Sequence, residues 1–63
     1  MRLRTIFYEY VPGRNTELKV IEGVLIPEVS RDASVEIDGT CYMPIAYGII
    51  IKGEQLTASI VLR

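Results

Sequence analysis

The side chains that could act as acid and base catalysts in this chain are carboxylates, because its 63 residues include no histidine and one cysteine. Glu36 and Asp38 are two residues apart, which places both on the same face of a strand. Paired carboxylates of this kind can exchange protons with a substrate. Here they lie at a turn, since Asp38 is part of an Asp-Gly turn signal and Glu36 precedes it, and acidic residues at turns are ordinarily solvated. The sequence therefore predicts a protein that is not an enzyme.

Metal and cofactor sites also find little support in the residue types. Cys41 cannot form an internal disulfide, and a zinc site would have to combine one thiolate with carboxylates, which is an uncommon ligand set. We expect Cys41 to be a small buried apolar residue on a strand. We predict no metal and no cofactor.

Arginine and tyrosine residues recur at the start of the chain and suggest a binding surface. Arg2, Arg4, Tyr8 and Tyr10 share one face of a predicted strand, and Arg14 follows in a loop. Tyr and Arg are the side chains that most often anchor protein interfaces. They also bind single-stranded nucleic acid, through stacking and phosphate contacts. A net charge of −1 lacks the basic footprint of a nucleic-acid binder, so we predict a protein partner, with nucleic acid as the alternative.

The same residues have a purely structural interpretation. Tyrosines on a sheet are commonly half-buried, and arginines near a sheet edge keep it soluble. Glu9 and Glu17 are close in sequence and reduce any positive potential at this site.

The elements that would position these residues are strands, and the clearest signal is a hairpin over residues 34–43. Val35 and Ile37 alternate with polar neighbours, and Asp38-Gly39 follows at the centre. A two-residue type I′ turn needs φ > 0 at both central positions, which Gly adopts freely and Asp tolerates. The pattern predicts a hairpin that turns at these two residues.

Further strands are predicted over residues 2–10, 17–26, 45–51 and 55–63, separated by turns at Pro12-Gly13 and Gly53. Within the second of them, Glu22-Gly23 predicts a bulge or sharp coil. Residues 28–33 lack periodicity and predict at most one short helical turn, capped by Ser30. The strand spacing predicts an all-β single domain over residues 1–63.

We expect this domain to be a small five- or six-stranded antiparallel barrel, SH3-like or OB-like in architecture. The chain begins and ends in a strand, so we expect the first and last strands to lie near each other and close the sheet.

Apolar residues on both faces of the last two strands predict self-association. Ile49, Ile50 and Ile51 are consecutive, and Ile60, Val61 and Leu62 follow on the next strand. A single small barrel covers one face of each strand, so a second set of apolar side chains needs another cover. We predict an oligomer interface that includes Ile49, Ile51 and Val61. The alternative is that strand curvature and residues 28–33 bury both faces within one chain.

These observations lead to one functional hypothesis. The chain has no apolar run long enough to be a signal peptide or to span a bilayer, so we expect a cytoplasmic location and no membrane partner. We predict a non-enzymatic protein-interaction module. It would act as a homo-oligomer or as a small regulatory or inhibitory subunit that docks on a larger protein.

Overall fold

The computed structural model describes all 63 residues. It confirms the all-β class, with six strands and no helix: β1 (Arg2–Val11), β2 (Arg14–Glu22), β3 (Val35–Ile37), β4 (Thr40–Tyr42), β5 (Pro44–Lys52) and β6 (Gln55–Leu62).

The four long strands form one open sheet in the order β2-β1-β6-β5. Two hairpins, β1–β2 and β5–β6, lie side by side, so the first and last strands are neighbours as predicted. Those two strands run parallel, in register from Arg2 opposite Gln55 to Glu9 opposite Leu62, and not antiparallel as predicted. The outer strands β2 and β5 do not pair with each other, so the predicted closure into a barrel is not confirmed. The β3–β4 hairpin forms a separate two-stranded sheet.

Tight turns join the paired strands where the sequence predicts them. Asp38 and Gly39 have φ of 49° and 87°, and Ile37 pairs with Thr40 across them. These are the positive angles that a type I′ turn requires, so this hairpin is confirmed. In the β5–β6 hairpin, Gly53 has φ of 60° at the first of two loop positions, which is typical of a type II′ turn.

The second strand is shorter than predicted, because Gly23 ends it. Gly23 has φ of 83°, and its N–H donates a hydrogen bond to the carbonyl of Leu3 at 2.7 Å. The chain then leaves the sheet, so the prediction that Glu22-Gly23 forms a bulge or sharp coil inside a strand over residues 17–26 is wrong at this position. A bulge does occur in β2, at Leu18, since Glu17 pairs with Tyr8 and Lys19 with Phe7.

One face of the sheet, which we call the covered face, holds the core. Phe7, Ile60 and Leu62 are buried there, at 6%, 1% and 0% exposure. The partly buried side chains that pack on them come from β2, from the segment after Gly23, from the β3–β4 hairpin and from β5: Leu18, Ile21, Ile26, Val29, Val35, Ile37, Tyr42 and Tyr47. The small hairpin and the segment that precedes it therefore form the second layer.

Two side chains of the sheet form hydrogen bonds with the backbone of Ile26, in the segment that connects β2 to β3. The hydroxyl of Thr5 accepts a hydrogen bond from the N–H of Ile26, and the hydroxyl of Tyr47 donates one to its carbonyl at 2.8 Å. Further along, the N–H of Ala33 donates to the carbonyl of Ser30 at 3.0 Å, and the N–H of Asp32 donates to the Ser30 hydroxyl at 3.2 Å. Residues 30–33 thus form a β-turn and not a helical turn.

Candidate interaction surfaces

The two edges of the open sheet differ in their protection against pairing. The β2 edge carries four charged residues and a bulge in the middle of the strand: Arg14, Glu17, Lys19 and Glu22, with the bulge at Leu18. Charges and bulges are the features that keep edge strands from pairing with other chains. We therefore regard β2 as a protected edge.

The β5 edge lacks that protection along residues 46–51. Its bulge lies at the start of the strand, between Pro44 and Ala46, and its one charged residue is Lys52 at the far end. Ile49, Ile50 and Ile51 are 45%, 51% and 68% exposed. A long, regular, apolar edge strand of this kind is a surface that pairs readily with another strand.

The register of the β5–β6 hairpin determines which backbone groups of β5 are free. Lys52 and Gln55 flank the two-residue loop, so they form a hydrogen-bonded pair. Bonded and non-bonded pairs then alternate along an antiparallel ladder. Tyr47, Ile49 and Ile51 therefore direct their N–H and C=O groups away from β6, toward the outer edge.

The structure places the three predicted interface residues on two different faces. Ile49 and Ile51 lie opposite Ala58 and Leu56, on the covered-face side of β5. Val61 is half-buried on the other face, which we call the open face, so it does not join them. Ile50 lies on the open face opposite Thr57 and is a further exposed isoleucine. The sequence prediction of the interface does not include Ile50, although its place in the isoleucine triplet is a sufficient signal for an exposed apolar residue.

The open face has no second layer. The core cluster and the hairpin side chains that pack on it lie on the covered face, yet Ile6 and Thr57 on the open face are also buried, at 5% and 4% exposure. The chain exposes 4502 Å², against about 4,100 Å² expected for a folded monomer of this mass. The excess is consistent with a sheet that is covered on one side.

The predicted Arg and Tyr surface is brought together in large part. Arg2, Arg4, Tyr8 and Tyr10 alternate along β1 and lie on the open face. Arg14 belongs to β2 and pairs with Val11, so by register it lies on the opposite side of the sheet.

One hydrogen bond and two neighbouring carboxylates determine how the positive charge of Arg4 is presented on that surface. The Nε of Arg4 donates a hydrogen bond to the hydroxyl of Thr57 at 3.1 Å, which holds this side chain against the sheet. Glu17 and Glu22 lie directly opposite Tyr8 and Arg4 on β2. The open face is therefore of mixed charge and not strongly basic.

The remaining sequence candidates do not form an enclosed site. Glu36 and Asp38 are both exposed on the small hairpin, and Asp38 lies 3.8 Å from Lys19 Nζ in an ion pair whose side chains are 79% and 51% exposed. Cys41 is exposed opposite Glu36, so the prediction that its side chain is buried is wrong. The β3–β4 hairpin packs Val35, Ile37 and Tyr42 against the core. Side chains alternate between the two faces of a strand, so Cys41, next to Tyr42, points to solvent.

No protein-family model matches this chain, and the searches found no similar curated protein and no similar solved structure. The fold contains no helix with the length and apolar character that crossing a bilayer requires.

Proposed function

We propose that this chain is a non-enzymatic protein-interaction module that works by self-association. The observation that carries the proposal is the β5 edge, where three consecutive isoleucines are 45–68% exposed beside unpaired backbone groups. The opposite edge of the same sheet is charged and bulged. This contrast supports assembly through one edge of the sheet.

The apolar surface at this edge is large enough to matter for binding. Full burial of an isoleucine side chain stabilises by roughly 2–3 kcal/mol. About half of the surface of Ile49, Ile50 and Ile51 is still exposed in the monomer. Each side chain therefore contributes about 1 kcal/mol to binding if a partner covers it. Association costs several kcal/mol in lost freedom of motion. We therefore expect a dimer whose population rises visibly with protein concentration.

Molar mass in solution, measured by light scattering over a wide range of concentration, tests the proposal. The wild-type chain should increase in mass with concentration, and Ile49→Lys should remain a monomer with an unchanged β-sheet circular dichroism spectrum. Val24→Lys is the matched control, because Val24 is 47% exposed against 45% for Ile49 and lies outside the strands. It should associate like the wild type.

A wild-type chain that is monomeric at every concentration would overturn self-association. The same edge would then be available to a different protein, as in a small regulatory or inhibitory subunit that docks on a larger partner. Equal effects of the two lysine substitutions would show that the charge alone, and not its place on β5, controls assembly.

A second candidate is binding of single-stranded nucleic acid on the open face. Arg2, Arg4, Tyr8 and Tyr10 share that face, which is the arrangement such surfaces use. Glu17 and Glu22 on the same face oppose it. A titration with a fluorescent oligonucleotide distinguishes the two candidates, because nucleic-acid affinity falls steeply as salt rises and an apolar strand interface responds much less.

The cytoplasmic location is part of the same proposal. An exposed, unpaired thiol at Cys41 is typical of proteins from compartments that keep thiols reduced.

A further inference from the structure

We propose that two copies of this chain pair their β5 strands antiparallel about a two-fold axis at Ile49, which joins the two four-stranded sheets into one sheet of eight strands. The inference rests on the proposed function and specifies its partner and its geometry. A closed pair of identical subunits requires a self-complementary surface in which each residue contacts its own symmetry mate or a reciprocal one. An antiparallel strand pair meets that requirement.

The free backbone groups determine the register. Tyr47, Ile49 and Ile51 face outward, so a pairing centred on Ile49 sets Ile49 against its own copy and Tyr47 against the partner's Ile51. Each of these pairs can exchange two hydrogen bonds, as hydrogen-bonded pairs do in antiparallel ladders. All three outward-facing residues of each strand are then used. A shift by one residue in each copy leaves part of this set unpaired or reaches into the bulge at Ile45.

The side chains are compatible with the same register. On the covered-face side, Ile49 meets Ile49 and Tyr47 meets Ile51, which are apolar and aromatic cross-strand pairs of the kind that stabilise sheets. The one charged residue of the strand, Lys52, falls opposite the partner's Ala46 and far from the partner's Lys52. No like charges face each other across the pair.

A groove at the start of β5 provides space for the end of the partner's hairpin. The groove has a volume of about 260 Å³ and runs between residues 28–31 and 44–47, with Glu28 and Arg31 in its lining. The register brings the partner's 52–54 turn level with residues 44–46. That turn carries Lys52 and Glu54, so each side offers one acidic and one basic residue.

Disulfide trapping tests this geometry. In a Cys41→Ser background, a single cysteine is placed at residue 49, 50 or 51 and the protein is oxidised under mild conditions. A hydrogen-bonded pair on the axis has a Cα separation of about 5.5 Å, which suits a disulfide. Ile49→Cys should therefore form a covalent dimer rapidly.

Ile51→Cys is the matched control on the same face of the same strand. In the proposed register its symmetry mate lies four residues along, about 14 Å away, so it should form covalent dimers at least tenfold more slowly. Ile50→Cys should also be slow, because its copy lies diagonally beyond the reach of a disulfide, which ends near 7 Å.

Light scattering of the reduced variants separates the two proposals. A non-covalent dimer in which residue 50 or 51 crosslinks faster than residue 49 overturns this register and leaves self-association standing. A dimer in which none of the three crosslinks overturns pairing along β5. Monomers throughout overturn both proposals.

Discussion

Thr5 and Ile26 are joined across the covered face, because the buried hydroxyl of Thr5 accepts a hydrogen bond from the N–H of Ile26 at 2.9 Å. The same hydroxyl donates to the carbonyl of Val24 at 2.7 Å. One threonine thus satisfies two backbone groups of a segment that has left the sheet. Thr5 is 0% exposed, so water does not compete for these bonds. Thr5 therefore contributes, with Tyr47 and the apolar contacts of the core, to the placement of the second layer on the sheet.

Thr5→Val should lower the free energy of unfolding by about 2 kcal/mol, because it keeps the shape of the side chain and leaves two backbone groups without a partner. Thr5→Ser is the control, since it keeps the hydroxyl and loses one methyl group, worth about 0.8 kcal/mol. Urea denaturation at a fixed protein concentration measures both. If the valine variant is the more stable of the two, the hydrogen bonds are not what holds the segment.

Tyr47→Phe removes one hydrogen bond, from the Tyr47 hydroxyl to the carbonyl of Ile26, and should cost about 1 kcal/mol. Thr5 and Tyr47 bind the N–H and the carbonyl of the same residue, Ile26, so the effects of the two substitutions on the free energy of unfolding should not be additive. We expect the double variant Thr5→Val/Tyr47→Phe to lose less than the sum of the single losses, because a segment already released gains nothing from the second bond. Strict additivity in a double-mutant cycle would mean that the two hydroxyls act independently.

Gly39→Ala should destabilise the protein by about 1–2 kcal/mol, because residue 39 has φ of 87°, where a Cβ is strained. Gly48→Ala is the matched control. A Cβ at either position meets no atom within 4 Å, and Gly48 does not have a positive φ, so alanine there should be neutral or stabilising by less than about 1 kcal/mol. Chemical denaturation of both variants separates backbone strain from loss of space. Similar effects at the two positions would contradict the type I′ turn as the cause.

The turns could be predicted from the sequence because their determinants are local. Asp38-Gly39 and Gly53 encode their own backbone angles, and the residues beside them need no distant partner to form a turn. The isoleucine triplet at 49–51 likewise indicates an exposed apolar surface through composition alone. These features account for the strand count and for the β5 candidate.

The arrangement of the strands could not be predicted in the same way. The parallel pairing of β1 with β6 joins residues more than fifty positions apart, and nothing local distinguishes it from antiparallel pairing. The Thr5 hydroxyl is needed because the backbone of Val24 and Ile26 crosses the sheet beside it. Threonine is common in strands for other reasons, so its presence in the sequence does not predict this role. The sequence prediction groups Val61 with Ile49 because the strand register that places them on different faces is a long-range property.

Amide hydrogen exchange at two protein concentrations gives the last prediction. In the monomer, the N–H groups of Ile49 and Ile51 face solvent and should exchange rapidly, whereas the N–H of Ile50 is bonded to β6 and should be protected. In the proposed dimer the first two become bonded across the axis, so their protection should rise with concentration. Asn15 on the β2 edge is the internal control, because it forms a non-bonded pair with Tyr10 and should stay fast at both concentrations.

Protection that rises at Asn15 and not at Ile49 would move the interface to the opposite edge of the sheet. A rise in mass with no change at either edge would instead place the contact on the open face, since packing of side chains there leaves the outward N–H groups of both edge strands in water. The exchange pattern therefore identifies which of the three surfaces is covered, independently of any substitution.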